Sequence, residues 1–309
     1  MWCWLVAEAR RLPTPILTPC GKQSVLCAIG DLIEDVVVQL HDEMRADTDT
    51  PAVIARSRGG SAANVAYFAA TLSGRSRFVG CVGQDPLGDS LIGQLTRHGV
   101  DVRGERHGRT GSIVVLSTAD GTRTMLTDRG DATALKEFDA TWLDGVHSLH
   151  IPLYSFSHEP IASVARAAVD AASARGVCVS VDLSSVAVIE HLGSDVVRSL
   201  IARLSPDVLF CTRAEAESVA LTVSNRLGAR IVVVKDGERP VRVFDDEHES
   251  TFAVARASTV VDGTGAGDAF AAGFLTSRSS GASLDECVAA AQSVAARVVA
   301  RAGATLEDA

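Results

Sequence analysis

Two observations place this chain in the α/β class, on a mostly parallel sheet. Apolar, strand-like runs alternate with stretches of helical spacing over most of its length. The first of those runs, Val25-Leu26-Cys27-Ala28-Ile29-Gly30, is continuously apolar, as a strand buried on both faces is. A third observation points to where the chemistry lies. The stretch Val260-Val261-Asp262-Gly263-Thr264-Gly265-Ala266-Gly267-Asp268-Ala269-Phe270 runs a β-branched pair into three alternating glycines and then into helical spacing.

In chain order, residues 1–24 read as an appendage with no motif. Its apolar start is short, Arg10-Arg11 lies on the wrong side for a secretory signal, and Pro13, Pro15 and Pro19 exclude a continuous helix. The fold begins at Val25, and Gly30-Asp31-Leu32-Ile33-Glu34-Asp35 puts carboxylates at the end of the first strand, where open α/β sheets bind ligands. A solvated acidic turn is the plainer alternative. Val36–Leu40 reads as a short strand, followed by the charged stretch His41–Asp49. Gly59-Gly60-Ser61-Ala62-Ala63-Asn64 leads into a small-residue helix ending near Gly74; its glycines suit either ligand approach or close packing. Phe78–Gly83 is a strand and Leu87–His98 a helix. Ile113–Ser117 and Thr124–Thr127 flank Asp120-Gly121 as a hairpin. Strands then follow at Ser148–Ile151, Val177–Leu183, Val208–Cys211, Ile231–Val234 and Phe252–Ala255. Helices are expected over Glu159–Arg175, Ser194–Arg203, Arg213–Leu221 and Ser283–Ala300.

Composition narrows the function. With 309 residues and 47% hydrophobic content the chain buries a full core without a disulfide or metal staple. A net charge of −9 argues against nucleic acid and membrane surfaces as partners. Seven scattered cysteines without C-x-x-C pairs suit reduced thiols and a cytoplasmic location.

The glycine motif carries the chemistry. A helix start offers unpaired N–H groups and partial positive charge, and glycines let an anion approach them. Asp268 within that cradle would repel a static anion. It suits phosphoryl transfer, where the attacking hydroxyl must lose a proton. The plainer reading is a capped helix with a first-turn acid. Gly263, Gly265 and Gly267 do not match the dinucleotide spacing G-x-G-x-x-G, and Gly21-Lys22 is followed by Gln23, so it is no P-loop.

The succession Gly30…Asp35, Gly59-Gly60…Asn64, Gly80-x-x-Gly83-x-Asp85-x-x-Gly88 and Asp262-Gly-Thr-Gly-Ala-Gly-Asp268 resembles the ribokinase, or PfkB, family of carbohydrate kinases from about Val25 to Ala304. The resemblance implies a three-layer α/β/α sandwich over 25–304, with a small β-sheet lid from about 36–56 and 112–128 and a tail at 305–309. It implies ATP and Mg²⁺ as cofactors, a sugar or sugar-like acceptor, and a homodimer through the lid. Asp268 would be the base, and the N–H groups of Gly265, Ala266, Gly267 and Asp268 the anion hole. Asp31, Asp35, Gly60 and Asn64 would hold substrate. Asp262, Gly263, Thr264, Lys235, Gly237 and Gln292 would lie at the nucleotide, and some relatives bind a monovalent cation (K⁺) by Asp262 and Thr264. Glu215 would serve the metal. On this reading Asp268 needs position rather than a raised pKa.

The departures are informative. The family's Asn-x-x-Glu appears as Thr212-Arg213-Ala214-Glu215, keeping the acid and losing the amide. Ile33, Ser61 and Tyr154 stand where ribokinases proper carry Asn, Lys and Glu, which argues against ribose. Tyr154 and Phe156 leave a nucleoside kinase open as the alternative, and a silent sugar-binding protein is the reading from outside catalysis. Arg123 and Arg129, flanking a lid strand, could meet an acidic or phosphorylated substrate, and surface solvation is their plainer task.

Overall fold

The computed structural model describes residues 25–118, 123–245, 248–254 and 259–306. The expected appendage at 1–24, the Asp120-Gly121 turn, the Arg123 side chain, Ala255 and residues 307–309 lie outside them. Thirteen strands and eight α-helices are described. Seven strands of the main sheet run parallel: β1 (Val25–Ile29), β4 (Ser76–Val82), β5 (Val100–Arg106), β8 (Val146–Pro152), β9 (Cys178–Asp182), β10 (Val208–Thr212) and β11 (Ile231–Asp236). The antiparallel β12 (Arg239–Asp245) and β13 (His248–Phe252) close one edge, giving the order β13-β12-β11-β10-β9-β8-β1-β4-β5.

Period-two alternation explains why the parallel strands read as unbroken apolar runs. On β10, Val208 and Phe210 face the layer of α1 (Ser61–Ser73), α2 (Pro86–Arg97), α7 (Ala266–Ser279) and α8 (Leu284–Val299). Leu209 and Cys211 face the opposite layer of α3 (Ile161–Ala174), α4 (Val186–Leu192), α5 (Ser194–Leu204) and α6 (Arg213–Ser218). Both faces are therefore dry, and the three-layer sandwich follows.

The lid is a separate four-stranded sheet in the order β3-β2-β6-β7, made of β2 (Ile33–Leu40), β3 (Ala52–Gly59), β6 (Thr110–Ser117) and β7 (Arg123–Gly130). It starts earlier and ends later than expected, so both ends of the β2–β3 hairpin, Ile33 and Gly59, sit paired at the main domain. Both of its faces expose large apolar residues, Ile54 and Leu126 on one and Val53 and Met125 on the face shared with Asp35.

Several elements differ from the sequence reading. The last strand is His248–Phe252, not Phe252–Ala255; Ala253 and Val254 have already left it. β3, β5, β12 and α4 were not expected. β5 (Val-Asp-Val-Arg-Gly-Glu-Arg) is an edge strand whose polar half hides the pattern. Packing also runs past residue 304: Leu306 is buried, and its N–H donates to the Tyr67 hydroxyl at 3.4 Å. Among the described residues no helix is long and apolar enough to cross a membrane.

Candidate active site

The carboxyl ends of β1, β9, β10 and β11 converge on the start of α7, bringing Asp31, Asp182, Thr212 and Lys235 to one rim. The Gly263–Gly267 loop ends there in Gly265, whose φ of +75° is left-handed and whose missing Cβ would lie 2.5 Å from that of Ala304. Glycine is thus required twice over at this helix start. Asp262 fixes the loop: one carboxylate oxygen accepts from the Thr264 N–H (2.9 Å) and hydroxyl (2.8 Å), the other from the Gly303 N–H (2.9 Å). Among the described residues the N–H groups of Gly265, Gly267 and Asp268 have no hydrogen bond, whereas that of Ala266 donates to the Gly263 carbonyl at 3.2 Å. Of the four N–H groups expected to form an anion hole, three are therefore open and that of Ala266 is engaged.

Asp268, in the first turn of α7, is held from across the site by α1. Ser61 Oγ donates to Oδ1 at 2.7 Å and Asn64 Nδ2 to Oδ2 at 2.9 Å. Desolvation pushes its pKa up to about 7, even though both hydrogen bonds and Lys235 favour the charged form. The basicity that the chemistry did not demand is present. Asn64 is itself oriented by the buried Arg58, which donates to its Oδ1 at 3.3 Å and to the Ala304 carbonyl at 2.6 Å.

The acidic turn after β1 forms the next wall. Gly59 and Gly60 pack so closely over it that a Cβ on Gly59 would lie 2.3 Å from Asp35 Oδ1, and one on Gly60 2.3 Å from the Asp31 carbonyl. Asp31 Oδ2 pairs with Arg129, while its Oδ1 is buried without a partner. The Asp35 carboxylate accepts no hydrogen bond from the described residues; burial and then Asp31 raise its pKa to about 6, against Arg58 and Arg129. Two acceptors thus stand ready for hydroxyl donors. Arg129, for which solvation is the plainer of two sequence readings, is an inward residue, its guanidinium 4.1 Å from the centre of the Tyr154 ring. The β7 strand carrying it gave no sign of this, because one arginine at a lid edge looks like any other.

On the other side of α7 lies a cavity of about 390 Å³ between Lys235, Gly237, Gly267, Phe270 and Gln292, with apolar walls from Val241, Val254, Val260 and Val299. Its apolar walls suit a flat base, and its open end reaches the glycine loop. Gln292 Nε2 donates to the Ala253 carbonyl at 3.1 Å. Lys235 Nζ contacts Asp182 Oδ2 at 2.6 Å; burial acts to lower its pKa, but Asp182, Glu215 and Asp268 together outweigh it and the net shift is upward. Asp182 was missed, although a carboxylate closing a buried strand is the same signal as Asp31.

Glu215 is buried and has a structural task. Its carboxylate accepts the Thr212 N–H at 2.7 Å while Thr212 Oγ1 accepts the Glu215 N–H at 3.3 Å, a reciprocal cap on α6. Burial and then Asp182 raise its pKa, with the Thr212 bonds opposing. Among the described residues no cluster of three or more His, Cys, Asp or Glu forms a metal cage. Mg²⁺ needs none, since it is commonly held by one or two carboxylates, water and substrate phosphates. Glu215 with Asp182 fits that donor set. A monovalent cation fits less well: both Asp262 oxygens already accept protein donors, and the Arg58 cation occupies the Ala304 carbonyl.

The model of the pfkB family carbohydrate kinases matches residues 23–308. The chain belongs to that family. Fructokinase-2 of Zea mays is 29% identical over 269 residues, covering 82% of this chain and 79% of the relative. A probable fructokinase-5 of Arabidopsis thaliana is 30% identical over 241 residues, covering 72% and 74%. Among solved structures, adenosine kinase from Sinorhizobium meliloti superposes with a TM-score of 0.81 at 25% identity, over 92% of this chain and 96% of that one. A putative ribokinase II from E. coli in complex with ATP and Mg²⁺ shares the fold, with a TM-score of 0.77 at 22% identity over 91% and 94%. The protein is thus a PfkB-family carbohydrate kinase, a phosphotransferase of the sugar and nucleoside kinase group with the ribokinase-like fold. Membership implies use of ATP and Mg²⁺.

Proposed function

We propose that this kinase transfers the γ-phosphoryl group of ATP to a hydroxyl of a free sugar, with Asp268 as the base. The observation carrying the reading is that Asp268, raised to a pKa of about 7, is fixed by Ser61 and Asn64 beside open N–H donors at a helix start. A hydroxyl hydrogen-bonded to Asp268 loses its proton to it as the bond to phosphorus forms. The N–H groups of Gly265, Gly267 and Asp268, with the α7 dipole, stabilise charge on the transferred group. Asp31 Oδ1 and Asp35 accept from other hydroxyls and orient the sugar, supported by Gly60, whose absent Cβ lets the chain close over them. The cavity at Lys235, Gly237 and Gln292 takes the nucleotide, with Asp262, Gly263 and Thr264 shaping its phosphate end. Bound Mg²⁺ would share the phosphate charge, and Glu215 and Asp182 would hold it through water.

A sugar is favoured over a nucleoside because the aromatic residues offered to a base are engaged. The Tyr154 ring is covered by Arg129, and Phe156 is buried in the core. The fructokinase relatives make fructose the first acceptor to try. A screen of free sugars and adenosine with coupled ADP release tests this. Turnover with adenosine but no sugar would reverse it, and no turnover with any acceptor would favour a binding protein. The exposed lid residues Ile54 and Leu126, which share one face of the sheet, suit pairing of two lids, which sedimentation would show as a dimer lost on Ile54→Lys. Buried free thiols at Cys27, Cys81 and Cys211 suit a reducing, cytoplasmic setting.

A further inference from the structure

A second cavity, of about 610 Å³, lies between the end of β3, α1, the end of α2 and the segment 302–305. Among the described residues it is lined by Arg56, Arg58, Arg97 and His98 and by no carboxylate, in a chain of net charge −9. That asymmetry concentrates positive potential in a concave site large enough for a small metabolite. Arg56 is already paired with Glu34 at 2.8 Å. Arg97 has no ion pair among the described residues and ends α2 at the cavity rim. Arg58 lies 4.1 Å from the Tyr67 ring centre, and His98 packs edge-on to the same ring at 4.8 Å. The aromatic surface is therefore in use, and the rest of the lining is small and polar: Ser57, Gln94 and Thr305. Such walls suit hydroxyl groups rather than a stacked base.

This cavity also touches the catalytic apparatus. Arg58 donates to Asn64, whose amide holds Asp268, and to the carbonyl of Ala304. The neighbouring Gly303 N–H holds Asp262 at the head of the glycine loop. Arg58 is thus a positioning residue shared by the cavity and the base.

We propose that the cavity is a regulatory site for a phosphorylated sugar, whose phosphate pairs with Arg97 and Arg58 and whose binding lowers turnover by drawing Arg58 away from Asn64. A guanidinium matches two phosphate oxygens at once, and a ligand that prefers the displaced Arg58 must weaken the base's support in proportion. Binding does not depend on which acceptor the cleft takes; only the effect on rate rests on the proposed transfer reaction, so the two fail separately.

Calorimetric titration of the full chain with glucose 6-phosphate, AMP and inorganic phosphate tests it, on the native protein and on Arg97→Glu. Arg97 is exposed at a helix end and outside the catalytic cleft, so the variant keeps its fold and its uninhibited kcat. Glucose 6-phosphate is expected to bind the native chain at millimolar concentration or below, and at least about tenfold more weakly to Arg97→Glu. The ester should lower kcat of the native enzyme without raising the acceptor KM, and should not affect the variant. Equal affinity in both proteins, no binding, or inhibition overcome by excess acceptor sugar would overturn the proposal, the last placing the ester in the cleft as a product. AMP binding as tightly as glucose 6-phosphate in an Arg97-dependent way would overturn the sugar-ester assignment. Inorganic phosphate alone matching the ester would do the same.

Discussion

Replacing Asp268 by Asn tests the base assignment through two readouts of different origin. The first is kinetic. With a pKa of about 7, Asp268 is ionised in about a tenth of free molecules at pH 6 and about nine-tenths at pH 8. The native kcat/KM for the acceptor should therefore rise about tenfold between those values. Asp268→Asn keeps the shape and hydrogen-bonding span of the side chain, so sugar affinity should change little. It removes the proton acceptor, so kcat should fall by about 10²–10⁴-fold, and the remaining rate should lose its rise around pH 7.

The second readout is stability, and its sign is opposite to that of an ordinary paired carboxylate. A folded pKa raised from 3.8 to about 7 means that the native state binds this proton more tightly than the unfolded chain. The resulting stability is fully present below the unfolded pKa and is lost as pH rises to about 7. A sealed site with this shift would cost about 4 kcal/mol at pH 8. The residue keeps partial solvent contact at the cleft, so about 1–2 kcal/mol is expected. Asp268→Asn should accordingly raise Tm at pH 8 and lose that advantage as pH falls toward 4. Melting curves and acceptor-saturated rates across pH 5–9 measure both effects. A flat native profile, or a variant retaining most of its kcat at saturating sugar, ATP and Mg²⁺, refutes the assignment.

Other outcomes follow from the neighbouring residues. Asp35→Ala should raise the acceptor KM strongly while the ATP KM stays near normal; a matching loss of ATP affinity would place this turn at the other ligand. Glu215→Gln should move the Mg²⁺ dependence of kcat to higher concentration, and because Glu215 also caps α6 it should cost about 1 kcal/mol of stability. An unchanged magnesium titration beside a lowered Tm would leave Glu215 only its capping task. Arg129→Ala should destabilise by about 3 kcal/mol, since it strands the buried Asp31 charge; denaturation near neutral pH measures this, and Asp31→Asn in the same background should recover part of the loss. Exchanging K⁺ for choline at constant ionic strength should leave kcat within about twofold, because Arg58 already supplies a fixed cation beside the loop.

What could be read from sequence was whatever repeats along the chain. The parallel strands announced themselves because both faces are buried, and the glycine loop because a left-handed Gly265 under Ala304 admits nothing else. Edge strands such as β5 and β13 were missed or misplaced, since one-sided burial leaves charged residues in the pattern. The site was legible one residue at a time but not in its pairings. Ser61 registered only as an absent lysine, yet its hydroxyl holds Asp268 across a separation of 207 residues. Arg58 gave no signal, and it joins Asn64 to a carbonyl 246 residues from itself. These contacts exist because α1 and α7 pack side by side on one face of the sheet. That adjacency follows from strand order, in which β1 lies four places from β11 although the two stand at opposite ends of the chain. The helix-start Asp268 is dried, and both of its oxygens are fixed, only because a second helix from the far end of the sequence packs against it.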